Sequence, residues 1–155
     1  MRISTKENRT LQMPRPTETV LGDSCFWIAL VDSRDQHHVA AGTKALYLDM
    51  LQVLIPWPCL YETVSNRMMR NKYATVALDA LLSRGNITLV DDSRYRDAAY
   101  EKSVELAKSG KRYIALVDMI IRMMCDDEIR SPNYLLTFNE PDFRDVCISR
   151  RIEIL

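Results

Sequence analysis

Residues 18–30 read ETVLGDSCFWIAL: a short apolar run through Val20, Leu21 and Gly22, a stop at Asp23 and Ser24, and a second apolar run from Cys25 onward. An apolar stretch of strand length that halts on an acid and a hydroxyl, then resumes at helical length, is a strand–loop–helix unit. The pattern predicts a strand over Glu18–Gly22 and a helix over Cys25–Val31, with a break at Ser33–Gln36. Asp23 is left at the carboxyl end of the strand.

The same grammar repeats along the chain. Val39, Leu46, Met50 and Val53 predict a long amphipathic helix over Gln36–Val53, and Val53–Trp57, closed by Pro58, fits a buried parallel strand. Leu60, Val64 and Met68 predict a helix carrying Glu62, Asn66 and Arg70 on its polar positions, followed by another over Tyr73–Leu82 that ends at Gly85-Asn86. Ile87–Val90 is a third strand, Ala98–Ala107 a helix stopped by Ser109-Gly110, and Ile114 to Cys125 the apolar face of a further helix. Tyr134–Phe138 reads as a fourth strand, Asp142–Val146 as a turn or short helix, and Ile148–Leu155 as an edge strand. Strands separated by helical stretches require crossovers, and crossovers give an α/β fold: a mostly parallel central sheet with helices on both faces, a three-layer α/β/α sandwich.

With 155 residues, 47% of them hydrophobic, the chain can bury one substantial core, so residues 18–155 are read as a single domain. Residues 1–17 carry Arg2, Lys6, Arg9 and Arg15 with Pro14 and Pro16 and no apolar period, which predicts a flexible N-terminal arm. Lys+Arg and Asp+Glu balance at 21 each, so a polyanion would have to be held by a local basic patch. Cys25, Cys59, Cys125 and Cys147 lack zinc or redox spacing and read as reduced, mostly buried residues of a cytoplasmic protein. The N-terminus lacks a signal peptide's apolar stretch, and Pro56 and Pro58 break the longest uncharged run, so no membrane segment is expected.

In an open parallel sheet, ligands gather beyond the carboxyl ends of the strands. Asp23 ends the first strand, Glu62 lies in the first turns of the helix after the second, and the cluster Asn139–Asp142 follows the fourth. Asp118 either lies on an apolar stripe, if its helix begins at Ile114, or occupies the first turn of a helix that begins near Val117. Each acid also has a plain structural reading. Asp23 could be an N-cap, Glu62 a partner of the helix dipole, and Asp118 the partner of Arg122 one turn on. Acids brought to one edge repel one another, and a divalent cation is the simplest group that would hold them together.

At this point the chain resembles a known family. Gly22-Asp23-Ser24-Cys25-Phe26-Trp27-Ile28-Ala29-Leu30, Arg34-Asp35-Gln36-His37-His38, Leu60-Tyr61-Glu62-Thr63, Ala115-Leu116-Val117-Asp118 and Leu136-Thr137-Phe138-Asn139 run in the order seen in PIN domains. The resemblance covers roughly residues 18–147 and is to the VapC-like branch, ribonucleases often found as toxins of type II toxin–antitoxin systems. It implies a PIN-like fold and a Mg²⁺ or Mn²⁺ site, with Asp23, Glu62 and Asp118 as the catalytic, metal-binding acids. The fourth position, often Asp in relatives, is Asn139, with Asp142 three residues on; Ser24 and Thr137 match supporting polar positions. Val117 stands where many relatives carry Ser or Thr.

The implied reaction is endonucleolytic hydrolysis of RNA phosphodiester bonds, leaving phosphate on the 5′ side of the product. Arg67, Arg70, Lys72 and Arg122 are the candidate nucleic-acid-binding cations, with Arg94 and Arg96 farther off. The implied partners are RNA, a cognate antitoxin and a second copy of the chain. His37 and His38 read as the solvent-facing start of a helix, and Met68, Met69, Met119, Met123 and Met124 as core filler. Two rivals remain: a catalytically weakened PIN domain acting as a binding or scaffold module, motivated by Asn139, and a structure-specific DNA nuclease. The Val90-Asp91-Asp92 run, similar to the acid pair of receiver domains, leaves too little chain after it for that fold.

Overall fold

A computed structural model describes residues 17–155, so the expected arm at residues 1–17 lies, but for Thr17, outside the described residues. Five strands, β1 (Thr19–Gly22), β2 (Gln52–Pro56), β3 (Ile87–Val90), β4 (Tyr134–Leu136) and β5 (Glu153–Ile154), form one sheet in the order β3-β2-β1-β4-β5. Every neighbouring pair is parallel. The helices are α1 (Ser24–Val31), α2 (His38–Lys44), α3 (Trp57–Thr63), α4 (Asn66–Met69), α5 (Lys72–Leu82), α6 (Ser93–Ser109), α7 (Leu116–Asp126) and α8 (Arg144–Arg150). α1 packs against α2, α3 and α5, while α7 packs against α6 and α8. This is the PIN-like α/β/α arrangement.

The central strands are apolar because both of their faces are covered. Val20 stands opposite Val53 and Tyr134, and Leu21 opposite Leu54 and Leu135. Val20, Val53, Ile55, Leu135 and Leu136 are buried, and Phe26 and Trp27 meet edge to face at 4.8 Å beside them. Burying each such side chain contributes about 1.5–3 kcal/mol.

Several boundaries differ from the sequence reading. The long helix expected over Gln36–Val53 is α2 followed by a 3-10 stretch over Ala45–Met50. Val39, Leu46 and Met50, which suggested its core face, are 82%, 72% and 64% exposed, and Val53 belongs to β2. The helix through Leu60, Val64 and Met68 is interrupted: Val64 leaves helical geometry at ψ 57, so α3 and α4 are separate and only Leu60 and Met68 turn inward. Ile148–Leu155 is not a continuous strand. Ile148 lies on the exposed side of α8, Arg151 turns the chain in the left-handed region at φ 57, and only Glu153–Ile154 pairs with β4. α6 starts earlier than its apolar residues suggest, because its first turns are polar.

His37 and His38 are half-buried rather than solvent-facing. The His37 ring stacks on Phe138 at 4.3 Å, and Nδ1 of His38 lies 2.8 Å from the Ala29 carbonyl. Met68, Met119 and Met124 are core residues, while Met69 is 58% exposed. Among the described residues, no helix is long and apolar enough to cross a membrane.

Candidate active site

β1 lies at the centre of the sheet with β2 and β3 on one side and β4 and β5 on the other, so a crevice opens beyond its carboxyl end. Gly22 pairs with Leu136, and the Asp23 N–H donates to the Leu136 carbonyl at 3.0 Å, so Asp23 and Thr137 leave the sheet side by side.

Asp23 occupies the N-cap position of α1 but its side chain makes no capping bond, which removes the plain reading of this acid. Its carboxylate is buried and accepts the Thr137 hydroxyl at 2.8 Å, the Cys25 thiol at 3.0 Å and, more loosely, the Ser24 hydroxyl at 3.4 Å. Ser24 sits closer to Glu62, at 2.5 Å from Oε2. A hydroxyl has one proton to give, so Ser24 serves Glu62 and lies beside Asp23. Glu62 stands in the last turn of α3 rather than its first turns.

Asp118 lies in the first turn of α7, the second of the two placements that the sequence allowed. Burial, then the charges of Asp23, Asp142 and Glu62, push its carboxyl up from 3.8 to about 7. Each of those three charges is negative. Arg122, the partner expected one turn on, instead forks onto both Asp145 oxygens and donates to the Asp142 carbonyl. The buried Cys59 thiol registers the same convergence: burial raises its pKa, and the charges of Asp23, Glu62 and Asp118 all raise it further.

At the fourth position the Asn139 amide donates to Asp142 Oδ2 at 2.8 Å, and the Asn139 backbone N–H donates to Thr137 Oγ1 at 2.9 Å. Arg112 lies 3.6 Å from the other Asp142 oxygen. Cys25, read from the sequence as core, is instead part of this edge: its sulfur also accepts the Phe138 N–H at 3.3 Å. Burial and the Asp23 charge push the thiol up to about 12, so it stays protonated and is a donor rather than a thiolate ligand. Its position two residues after Asp23, in the first turn of the helix, was the only sequence signal for that role.

The acids whose charges act on Asp118, namely Asp23, Asp142 and Glu62, offer oxygen donors only, as does Asp118 itself. That set suits a hard divalent cation such as Mg²⁺ or Mn²⁺, and the negative charge gathered around Asp118 is what such an ion would relieve. As placed, no three His, Cys, Asp or Glu side chains among the described residues stand together as a ready grip for an ion. Ser24 and Thr137 hold two of these acids, Glu62 and Asp23, by hydrogen bonds.

Of the candidate phosphate-binding cations, Arg67, Arg70 and Lys72 come together in one cleft with Arg34, Asn71 and Tyr73. Arg122 does not join them; it is half-buried against Asp145 and Asp142. Arg94 and Arg96 lie at the start of α6, near Asp127 and on Asp92 respectively.

No protein-family model and no curated protein matches the chain. Solved structures do. VapC20 from Mycobacterium tuberculosis, described as a Sarcin-Ricin loop cleaving toxin, aligns with a TM-score of 0.61 at 19% identity, over 81% of this chain and 94% of that one. A structure of VapBC2 from Rickettsia felis, bound to a DNA fragment from their promoter, aligns with a TM-score of 0.58 at 17% identity, over 88% and 97%. The chain thus shares its fold, a PIN-like α/β/α sandwich, with these two structures. The particular architecture shared is that of VapC20 and VapBC2.

Proposed function

We propose that this chain is a Mg²⁺- or Mn²⁺-dependent endoribonuclease, a toxin of the VapC type. The observation that carries the reading is Asp118: a half-buried carboxyl at a helix start, facing Asp23, Glu62 and Asp142, with no positive charge among the groups that shift it. A buried acid in that setting needs a proton or a cation, and a site of hydrolysis supplies the reason for the second.

Asp23, Glu62 and Asp118 would hold the ion, with Asn139 and Asp142 completing the set. The cation would supply charge stabilisation to the scissile phosphate and lower the pKa of the attacking water. Thr137 and Cys25 fix the rotamer of Asp23 by hydrogen bonding to its carboxylate. Glu62 is the most solvent-accessible of the three acids and has one light tether, Ser24, so it is the residue suited to take the proton of the attacking water. RNA is the substrate and the cytoplasm the setting that this reading gives, with an antitoxin as partner and a second copy of the chain as a further one.

The test is cleavage of RNA with Mg²⁺ or Mn²⁺ and with chelator, using Asp23→Asn and Asp118→Asn as controls and DNA of matched sequence as competitor substrate. Metal-dependent RNA cleavage lost in both variants supports the reading. Preferential cleavage of DNA would make the chain a DNA nuclease. One observation favours a binding or scaffold module instead: the Asn139 amide is already engaged with Asp142. That reading takes over if wild-type protein cleaves no RNA and both Asp→Asn variants melt higher with no response to metal.

A further inference from the structure

One length of α1 away from the acidic edge, about 12 Å at 1.5 Å per residue, the chain builds a second charged feature. Arg34, Arg67, Arg70 and Lys72 line a cleft of about 860 Å³ together with Asn71 and Tyr73. Beneath it lies Asp32, which is 5% exposed and follows the last residue of α1. Its Oδ1 accepts Nε of Arg34 at 3.1 Å and the Arg34 backbone N–H at 3.1 Å, and its Oδ2 lies 3.1 Å from an Arg67 guanidinium nitrogen. Hydrogen bonds from Arg34, with the charges of Arg34 and Arg67, hold the Asp32 carboxyl below its usual range.

Four cations against one carboxylate leave a local charge of about +3 in a chain whose formal net charge is zero. The two arginines that Asp32 anchors remain 63% and 70% exposed. Each guanidinium has five N–H donors, and the carboxylate occupies only some of them, so the rest stay available at the surface in a fixed orientation. Ordering an arginine beforehand removes part of the entropy cost of gripping an anion. Tyr73 is 87% exposed at the rim of the same cleft.

We propose that this cleft is a backbone track for unpaired RNA: Arg34 and Arg67, held by Asp32, grip one phosphate, Arg70 and Lys72 grip a neighbouring one, and Tyr73 offers its ring to a base. The choice of RNA over other polyanions rests on the ribonuclease reading and on Tyr73, since an acidic peptide has carboxylates but no flat base to stack. The track holds the strand at a distance from the acids, so it selects and orients substrate and takes no part in bond cleavage.

The test is the anisotropy of a labelled 12-nucleotide single-stranded RNA, titrated across a salt series with full-length protein in an Asp23→Asn background. Arg70→Ala/Lys72→Ala leaves the Asp32 pairs intact and keeps the fold. It is expected to weaken binding about tenfold and to reduce the salt slope by about 0.7 for each phosphate no longer gripped. Arg34→Lys/Arg67→Lys keeps the charge but loses the fork, and is expected to weaken binding as well. Tyr73→Ala is expected to lose affinity with no change in salt slope. Wild-type affinity and slope in the Arg70→Ala/Lys72→Ala protein overturn the proposal, as does equal competition by a polyglutamate peptide of matched charge. Cleavage by the protein with its native Asp23 is scored separately. If that protein cleaves nothing but the cleft variants lose RNA, the reaction fails and the track stands; if it cleaves while the cleft variants bind normally, the track fails alone.

Discussion

The Thr137 hydroxyl, just past the end of β4, donates to Oδ2 of Asp23, just past the end of β1, at 2.8 Å, and accepts the Asn139 N–H at 2.9 Å. One side chain thus orients the first acid and the backbone of the fourth position together. Thr137→Val keeps the shape and removes both bonds. Losing an outer partner of a metal ligand typically costs 10–100-fold, so Mn²⁺ affinity and cleavage are expected to fall by about that factor, and Thr137→Ser to restore them. Calorimetric titration with Mn²⁺ checks this independently of turnover; unchanged binding in the Val variant would remove the orienting role.

Asp118 sets a pH dependence. Its carboxyl is raised from 3.8 to about 7 by burial and by Asp23, Asp142 and Glu62, so the folded chain binds this proton more tightly than the unfolded chain does. Its contribution is therefore fully present below pH ~4 and is lost as pH rises through about 7. In chelator, melting temperature is expected to drop across that window, and Asp118→Asn to flatten the profile. Mn²⁺ is expected to restore stability at pH 7 in the wild type alone. Parallel profiles for the two proteins would rule out this origin.

Asp23 is the largest charge acting on Asp118 after burial itself. Asp23→Asn is expected to move the Asp118 titration toward lower pH, which carbon-13 carboxyl shifts would follow directly. A midpoint that stays put would mean that burial alone sets it.

Gly22 admits no side chain. A Cβ there would lie 2.2 Å from the Trp27 ring, which is buried and donates from Nε1 to the Gly22 carbonyl at 3.0 Å. Gly22→Ala is expected to cost about 3 kcal/mol through displacement of the indole. At about 2–4 °C per kcal/mol for a chain of this size, thermal unfolding resolves the change easily.

Arg122 is expected to matter for stability. Its fork holds the Asp145 carboxyl well below the usual range, so this contribution is present above pH ~4 and lost as pH falls further. Asp145 is 57% exposed, so screening limits the effect, and Arg122→Ala is expected to cost about 1 kcal/mol at neutral pH. Urea melts at pH 7 and pH 3 should show the difference between the two proteins shrinking at the lower value.

The topology was legible because the strands are short, largely apolar runs with an abrupt stop, polar at Gly22-Asp23 and Leu136-Thr137 and a proline at Pro58, and parallel order follows from the crossovers. Asp118 was legible as an anomaly, an acid beside Val117 and Met119 at a helix start. Arg122 was not: its partner Asp145 is 23 residues away, and i+4 spacing to Asp118 offered a nearer answer that the packing of α7 on α8 overrides. The long helix over Gln36–Val53 was misread because Val39, Leu46 and Met50 have helical spacing and yet are exposed, and spacing carries no information about which side the core lies on. Asp32 was hidden in the same way. Beside Ser33 and Arg34 it looks like an ordinary turn acid, and Arg67 reaches it only in three dimensions.

The central position of β1 has a consequence for biosynthesis. A chain still emerging from a ribosome can pair β1 with β2, and β2 with β3, but β1 has no partner on its other side until Tyr134–Leu136 has been made. Thr137 and Asn139 arrive later still, so the carboxylate cluster cannot close until the chain beyond β4 has been made. On the ribonuclease reading, any chemistry that needs that cluster is withheld until then, beside the RNA of the very machine that makes the chain.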